Sequence, residues 1–125
     1  MRVKILKENK LEVALVTSDV ILLKDVQSAL DLIATVGYET GCDFMILNKT
    51  AICEEFFDLS TKMAGDILQK FVNYHMKIAI LGDFSSYKSK SLNDFIDECN
   101  KGKHIFFLNN EKQAIERFAI INAAN

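Results

Sequence analysis

The chain has 125 residues, of which 50% are hydrophobic and 26% charged, and its formal net charge is -2. This length is typical of one domain, and the composition is too apolar for a disordered chain, so we expect a single domain over residues 1–125. The small net charge excludes the strong basic field on which non-specific binding to nucleic acid or to an anionic membrane depends.

The cysteines and the apolar runs restrict the class of protein further. Cys42, Cys53 and Cys99 are an odd number and form no C-x-x-C pair, so they fit neither a disulfide framework nor a zinc site. The first ten residues, "MRVKILKENK", lack the apolar stretch of a signal peptide, and no window is apolar enough to span a membrane. We therefore expect a cytoplasmic protein with reduced thiols.

The N-terminal third predicts a hairpin and then a helix. "VKIL" and "LEVALVTS" are β-type runs separated by the polar "KENK", which predicts a hairpin over residues 3–17. A helix follows, with Asp25 at its start and Gly37 or Gly41 at its end. Its apolar residues recur at spacings of three and four: Val26, Ala29, Leu30, Ile33 and Val36.

The rest of the chain alternates strands with helices. "DFMILN" and "MKIAILG" predict buried strands. The helix between them carries an apolar stripe of Ala64, Ile67, Leu68, Phe71 and Val72. "SKSLNDFIDECNKG" predicts a third helix, with Ser91 and Asp94 as a capping box and Gly102 at its end. "HIFFL" predicts the last strand, and "NNEKQAIERFA" predicts a helix with an Asn cap.

This order of elements predicts the fold class. Strands that alternate with helices are typical of an α/β protein with right-handed crossovers. We expect a mostly parallel sheet of about five strands, an antiparallel hairpin at its N-terminal end, and about four helices.

The sequence shows no catalytic or metal-binding motif. No G-x-G-x-x-G, Walker or H-E-x-x-H pattern occurs, and neither histidine is paired with a cysteine by any recognisable motif. Asp83 follows a predicted strand, as a phosphoacceptor aspartate does in receiver domains, but it lacks the companion acids that would hold Mg²⁺. We therefore assign no catalytic residue, no metal ligand and no cofactor.

From "DFMILN" through "HIFFLNNEKQAIERF", the succession of elements resembles the second half of a STAS domain, the fold of bacterial anti-sigma-factor antagonists. The whole chain, including "DVQSALDLIATVGYETGCD" and "FIDECNKG", is identified as a member of the bacterial Domain of Unknown Function 4180 family. That family name implies no activity. The STAS resemblance implies a single STAS-like domain that binds a protein partner.

The STAS resemblance also implies a phosphorylation site. In the antagonists, the second serine of an Asp-Ser-Ser-Gly motif at a helix start is phosphorylated, which switches partner binding. Asp58 matches the acid of that motif and Ser60 matches the modified serine, whereas Leu59 and Thr61 replace the other two residues. The alternative interpretation is that Asp58 or Ser60 only caps the following helix.

These observations leave three hypotheses about function. The first is a non-enzymatic regulatory module that binds another protein through the sheet edge from which residues 58–62 and 83–87 emerge. Its candidate contact residues are Asp58, Ser60, Thr61, Lys62, Asp83, Ser85 and Ser86. The second is a small-molecule binder or an enzyme of unrecognised type that uses the edge formed by Asp58 and Asp83, with Cys53 as a further candidate. The third is a homodimer that buries an apolar helix face or the exposed edge of the hairpin.

Overall fold

Strands and helices follow one another in the order that the sequence predicts. A computed structural model describes residues 1–124. The elements are β1 (Arg2–Glu8), β2 (Leu11–Thr17), α1 (Val26–Thr40), β3 (Phe44–Asn48), α2 (Met63–Asn73), β4 (Lys77–Leu81), α3 (Lys90–Lys101), β5 (Ile105–Leu108) and α4 (Glu111–Ala123). Three short 3₁₀ helices lie between β3 and α2, at Lys49–Ala51, Glu54–Phe57 and Leu59–Thr61.

The strands form one mixed sheet in the order β1-β2-β3-β4-β5. β1 and β2 pair antiparallel through a tight turn in which Asn9 adopts a left-handed conformation with φ 56. The other three pairs of neighbouring strands are parallel. The predicted α/β class, the N-terminal hairpin and the four helices are thereby confirmed.

Both faces of the sheet are covered, and each has its own core. α1, α2 and α3 share one face of the sheet, where the larger core includes Val36, Phe71 and Ile96. This arrangement is the one expected of right-handed crossovers between successive strands. α4 covers the other face, with Ala114 and Phe118 packed on the smaller core. The central strands are therefore buried on both sides, which explains why β3 and β4 are continuous apolar runs.

Most of the predicted helix ends are confirmed, but the predicted cap of α3 is wrong. α1 begins at Asp25, which forms a capping box with Ser28, and it ends at Gly41 with φ 68. In α3, the cap is Ser89 and not Ser91, because the helix begins two residues before the predicted box. The Ser89 hydroxyl accepts a hydrogen bond from the backbone N–H of Leu92 at 3.2 Å.

The predicted ends of α3 and α4 are confirmed, and the predicted buried face of α1 is confirmed in part. Asn110 caps α4 and Gly102 ends α3, as the sequence predicts. In α1, Leu32 is buried whereas Leu30 is only partly buried. Among residues 1–124, no helix combines the length and the apolar character required to cross a membrane.

The two outer strands of the sheet differ in how their free edges are covered. At β5, the side chain of Asn100 donates to the carbonyl oxygen of Phe107 at 3.1 Å and accepts from the Phe107 N–H at 2.8 Å. Asn100 thus bonds to this edge in the manner of a neighbouring strand. At the opposite end of the sheet, β1 has β2 as its only partner strand within residues 1–124.

The corrected cap predicts different effects for two nearby serines. Ser89→Ala should lower the free energy of unfolding by about 1 kcal/mol, because the N–H of Leu92 loses its acceptor. Ser91→Ala should change it by less than about 0.5 kcal/mol, since Ser91 is exposed inside the helix. Urea denaturation of both variants measures the difference, and a larger loss in Ser91→Ala would contradict the cap.

Candidate functional site

Two loops leave the same edge of the sheet and lie side by side. β3 and β4 are parallel neighbours, with Asn48 opposite Leu81 at their carboxyl ends. The chain continues after β3 through the three 3₁₀ helices to α2, and after β4 through residues 82–89 to α3. We use the name turn surface for residues 58–62 together with residues 83–86.

An aromatic cluster joins the two loops. The ring of Phe57 stacks on that of Tyr87 with a centroid distance of 5.2 Å, and it lies 6.1 Å from the ring of Phe84. Phe84 in turn meets Phe107 of β5 edge-on at 5.4 Å. The Tyr87 hydroxyl donates a hydrogen bond to the carboxylate of Glu54 at 2.7 Å. The two halves of the turn surface are therefore held together by packing that also reaches the sheet.

Asp58 and Asp83 each begin a turn of the same kind. The backbone N–H and the hydroxyl of Ser60 donate to Asp58 Oδ1 at 3.1 and 2.7 Å. The corresponding groups of Ser85 donate to Asp83 Oδ1 at 2.9 and 2.6 Å. In each case an aspartate organises the backbone that follows it, as in an Asx turn. Asp58 follows Phe57 and Asp83 precedes Phe84, so the aromatic cluster places the two turns near each other.

The same hydrogen bonds hold both carboxylates in the ionised form. The hydroxyl and then the N–H of Ser60 lower the pKa of Asp58 below its usual range. Ser85 lowers the pKa of Asp83 in the same way, and the positive charge of Lys49 adds to that effect. Both aspartates are therefore negatively charged at neutral pH.

The predicted helix cap at this site needs a correction. Asp58 caps the 3₁₀ helix Leu59–Thr61 and not α2. α2 begins at Met63, after Lys62 has adopted a left-handed conformation with φ 65. The Thr61 hydroxyl accepts from the N–H of Met63 at 3.2 Å and donates to the carbonyl oxygen of Asp58 at 2.8 Å. Ser60 therefore lies before α2 and outside its first turn.

All the predicted contact residues are accessible. Each is exposed to solvent: Asp58, Ser60, Thr61, Lys62, Asp83, Ser85 and Ser86. They form an outer surface and do not line the open polar depression of about 370 Å³ beside the end of β3. That depression is bounded by Met1, Arg2, Thr17, Ser18, Asp19 and Asn48.

Asn48 organises the backbone beside this depression. Its side-chain oxygen accepts from the N–H of Ser18 at 3.0 Å, and its amide donates to the carbonyl oxygen of Ser18 at 2.8 Å. The polar groups of Asn48 thus already have partners within the protein. They tie the loop after β2 to the end of β3.

Sequence reasoning missed the part played by Lys49 and Gly82. The Lys49 amino group lies 5.2 Å from the centre of the Phe57 ring and 5.0 Å from that of Tyr87. The aliphatic part of the Lys49 side chain passes so close to Gly82 that a Cβ added to Gly82 would lie 2.7 Å from Lys49 Cβ. The only signal in the sequence is a glycine directly after a buried strand, which is consistent with close approach of another group.

The cysteines do not show the features of activated thiols. Burial raises the pKa of Cys53, and it raises that of Cys99 to about 11, so both thiols are protonated at neutral pH. Cys53 Sγ lies 3.3 Å from Met63 Sδ, in partly apolar surroundings. Among residues 1–124, no group of three or more His, Cys, Asp or Glu side chains could hold a metal ion.

The close approach at Gly82 can be tested by adding one methyl group. Gly82→Ala should lower the free energy of unfolding by about 1–3 kcal/mol, because the new Cβ overlaps Lys49 Cβ near the main chain. Gly65→Ala is the matched control in α2, where nothing lies within 4 Å, and it should raise stability by about 0.5–1 kcal/mol. Denaturation curves that show no difference between the two variants would contradict this packing.

The hydrogen bonds in the turn at Asp58 predict how substitution of Ser60 changes the pKa of the Asp58 carboxyl. Ser60→Ala should raise the pKa of the Asp58 carboxyl towards its usual ~3.9, and Ser86→Ala should leave it unchanged. Since folding lowers the pKa of Asp58, its ionised carboxylate stabilises the folded protein above pH ~4. This stabilisation is lost as the pH falls through the pKa of Asp58 in the folded state. NMR titration of the side-chain carboxyl carbon measures both variants, and an equal pKa in Ser60→Ala and the parent protein would be contrary to this account.

Comparison with known proteins identifies a family for this chain. Residues 8–118 match the family described as "Domain of unknown function (DUF4180)". No curated protein and no solved structure matches the chain. The match extends from the end of β1 into α4 and so includes both loops of the turn surface. The chain therefore belongs to the Domain of unknown function (DUF4180) family.

Proposed function

We propose that this chain is a single non-enzymatic domain that binds another protein through the turn surface. The observation that carries the proposal is the pair of Asp-x-Ser turns, at Asp58 and Asp83, held beside each other by the rings of Phe57, Phe84 and Tyr87. Their backbones are ordered by internal hydrogen bonds while the polar side chains stay exposed. Binding to such a preordered surface costs little conformational entropy.

The resemblance to STAS domains supports a regulatory role for this surface. After β3, the chain runs through turns to α2, β4, α3, β5 and α4, which is the order expected for the second half of that fold. In the anti-sigma-factor antagonists, phosphorylation of the corresponding serine switches the binding of a protein partner. We propose a STAS-like fold and a comparable regulatory interaction for this chain.

We further propose that phosphorylation of Ser60 would weaken this interaction by opening the turn. The Ser60 hydroxyl is exposed and donates to Asp58 Oδ1 at 2.7 Å. A phosphate would replace that donor with a dianion next to a carboxylate, and like charges at this distance repel each other. Because α2 begins only at Met63, the favourable charge of its N-terminus offsets this repulsion less than it would at a serine in the first turn.

The geometry gives less support to a small-molecule binder or an enzyme built on Asp58 and Asp83. Both carboxylates are exposed and already accept two hydrogen bonds each from a nearby serine. Neither aspartate lines the polar depression beside Asn48. Small-molecule sites are usually concave, with polar groups converging on the ligand.

A charge reversal on the turn surface tests the proposed interaction. Affinity purification from native cells, read by mass spectrometry, should recover a partner with the parent protein and lose it with Lys62→Glu. Lys103→Glu makes the same change of charge just before β5, at the opposite, amino-terminal edge of the sheet, and should retain the partner. With the purified partner, Lys62→Glu should weaken binding about tenfold, which is ~1.4 kcal/mol.

Two results would contradict the proposal. Equal binding by Lys62→Glu and Lys103→Glu would exclude the turn surface. If phosphate is never found on Ser60 in the protein from native cells, whether it is bound to the partner or free, the switch hypothesis fails while the binding surface stands.

A further inference from the structure

The free edge of β1 differs from the other edge of the sheet. At β5, Asn100 fills the hydrogen-bonding positions of Phe107, as described above. At β1, the described residues supply no partner on the outer side over the seven residues Arg2–Glu8. A strand edge of this length offers its N–H and C=O groups to another strand.

Apolar side chains lie beside the same edge. Ile5 is 39% exposed, Met1 51% and Ile21 46%. Ile5 pairs with Ala14, which belongs to the larger core, so it points to the face that carries α1. Met1 and Ile21 line an open depression of about 250 Å³ together with Leu32 of α1. The unpaired backbone and these apolar groups would be buried by one and the same partner.

The charges of β1 are complementary to those of a second β1. In an antiparallel pair centred on Ile5, Arg2 lies opposite the partner's Glu8 at both ends, and Ile5 lies opposite the partner's Ile5. All seven residues of the strand are then paired. Arg2 and Glu8 have no ion-pair partner within residues 1–124, whereas Lys7 already lies 3.6 Å from Glu12.

Other registers of the same pairing are less favourable. A shift by one residue would set outward-facing backbone groups opposite inward-facing ones, because the two kinds alternate along a strand. Centring the pair on Lys4 would place this lysine opposite the partner's Lys4. Centring it on Leu6 would bring Arg2 opposite the partner's Lys10, just beyond the strand.

We propose that the protein forms a two-fold symmetric homodimer in which the β1 strands pair antiparallel about Ile5 to give one continuous sheet. The symmetry axis is perpendicular to the sheet, as it is for any antiparallel pair of identical strands joined edge to edge. The turn surface emerges beyond β3 and β4, away from β1, so it stays accessible in both copies. The homodimer and the proposed function can therefore be tested independently of each other.

Sedimentation equilibrium of the full chain tests the dimer and its location. The parent protein should sediment as a dimer that dissociates on dilution, and Ile5→Lys should raise the dissociation constant at least about tenfold, because it places two like charges at the centre. Ile120→Lys is the matched control: Ile120 is 69% exposed on α4, and its substitution should leave the dissociation constant unchanged. Circular dichroism checks that both variants are folded.

A charge swap tests the register and does not depend on Ile5→Lys folding. Arg2→Glu and Glu8→Arg should each weaken the dimer, since each opposes two pairs of like charges, and the double variant should restore it. A parent protein that is monomeric at every concentration overturns the proposal. So does a dimer that is insensitive to Ile5→Lys and to the single charge variants, or one that the double variant fails to restore.

Discussion

The strands of this sheet lie side by side in the order in which they occur along the chain, and this order determines the rest of the architecture. Each right-handed crossover places its helix on the same face, so that α1, α2 and α3 share one core. A crevice at the carboxyl edge of a parallel sheet forms where the strand order reverses, and neighbouring helices then diverge to opposite faces. This sheet has no such reversal among its parallel strands. Its carboxyl edge therefore carries adjacent loops that present a surface.

The turn surface is shaped by hydrogen bonds and positioned by aromatic packing. The serine contacts of Asp58 and Asp83 determine the conformation of each loop. The position of one loop relative to the other depends on Phe57, Phe84 and Tyr87, and aromatic pairs of this kind contribute about 0.5–1.5 kcal/mol beyond burial. A surface built in this way can keep its shape while Lys62 and Ser86 vary, because their side chains take no part in these hydrogen bonds.

The fold was predictable because its hydrophobic patterns are unambiguous. β3 and β4 are apolar on both sides, and α2 buries Ala64, Ile67 and Phe71 at helical spacing, as the sequence predicts. The cap of α3 was not predictable, because Ser89 and Ser91 suit the cap equally well by residue type. The choice between them depends on how Leu92 reaches the core, where it is 2% exposed.

The candidate site was predictable only in outline. Parallel strands bring the segments after β3 and β4 to one edge, and that inference needed only the order of the elements. Three short 3₁₀ helices delay the start of α2 to Met63, and no periodicity marks such short helices in the sequence. The contact of Lys49 with the aromatic rings is a tertiary contact between separate loops, so local sequence carries no sign of it.

The second face of the sheet depends on a single helix. Phe118 of α4 packs on Phe44 and Phe106 with ring-centre distances of 4.9 and 5.9 Å, and no other helix of the described chain contributes to this core. During synthesis, the ribosome makes all five strands before it makes α4. A nascent chain that has reached β5 can assemble the sheet and its first layer of helices while the other face still exposes Phe44 and Phe106 to solvent. The interval before α4 emerges is then the period in which the growing chain is most exposed to aggregation and to capture by chaperones.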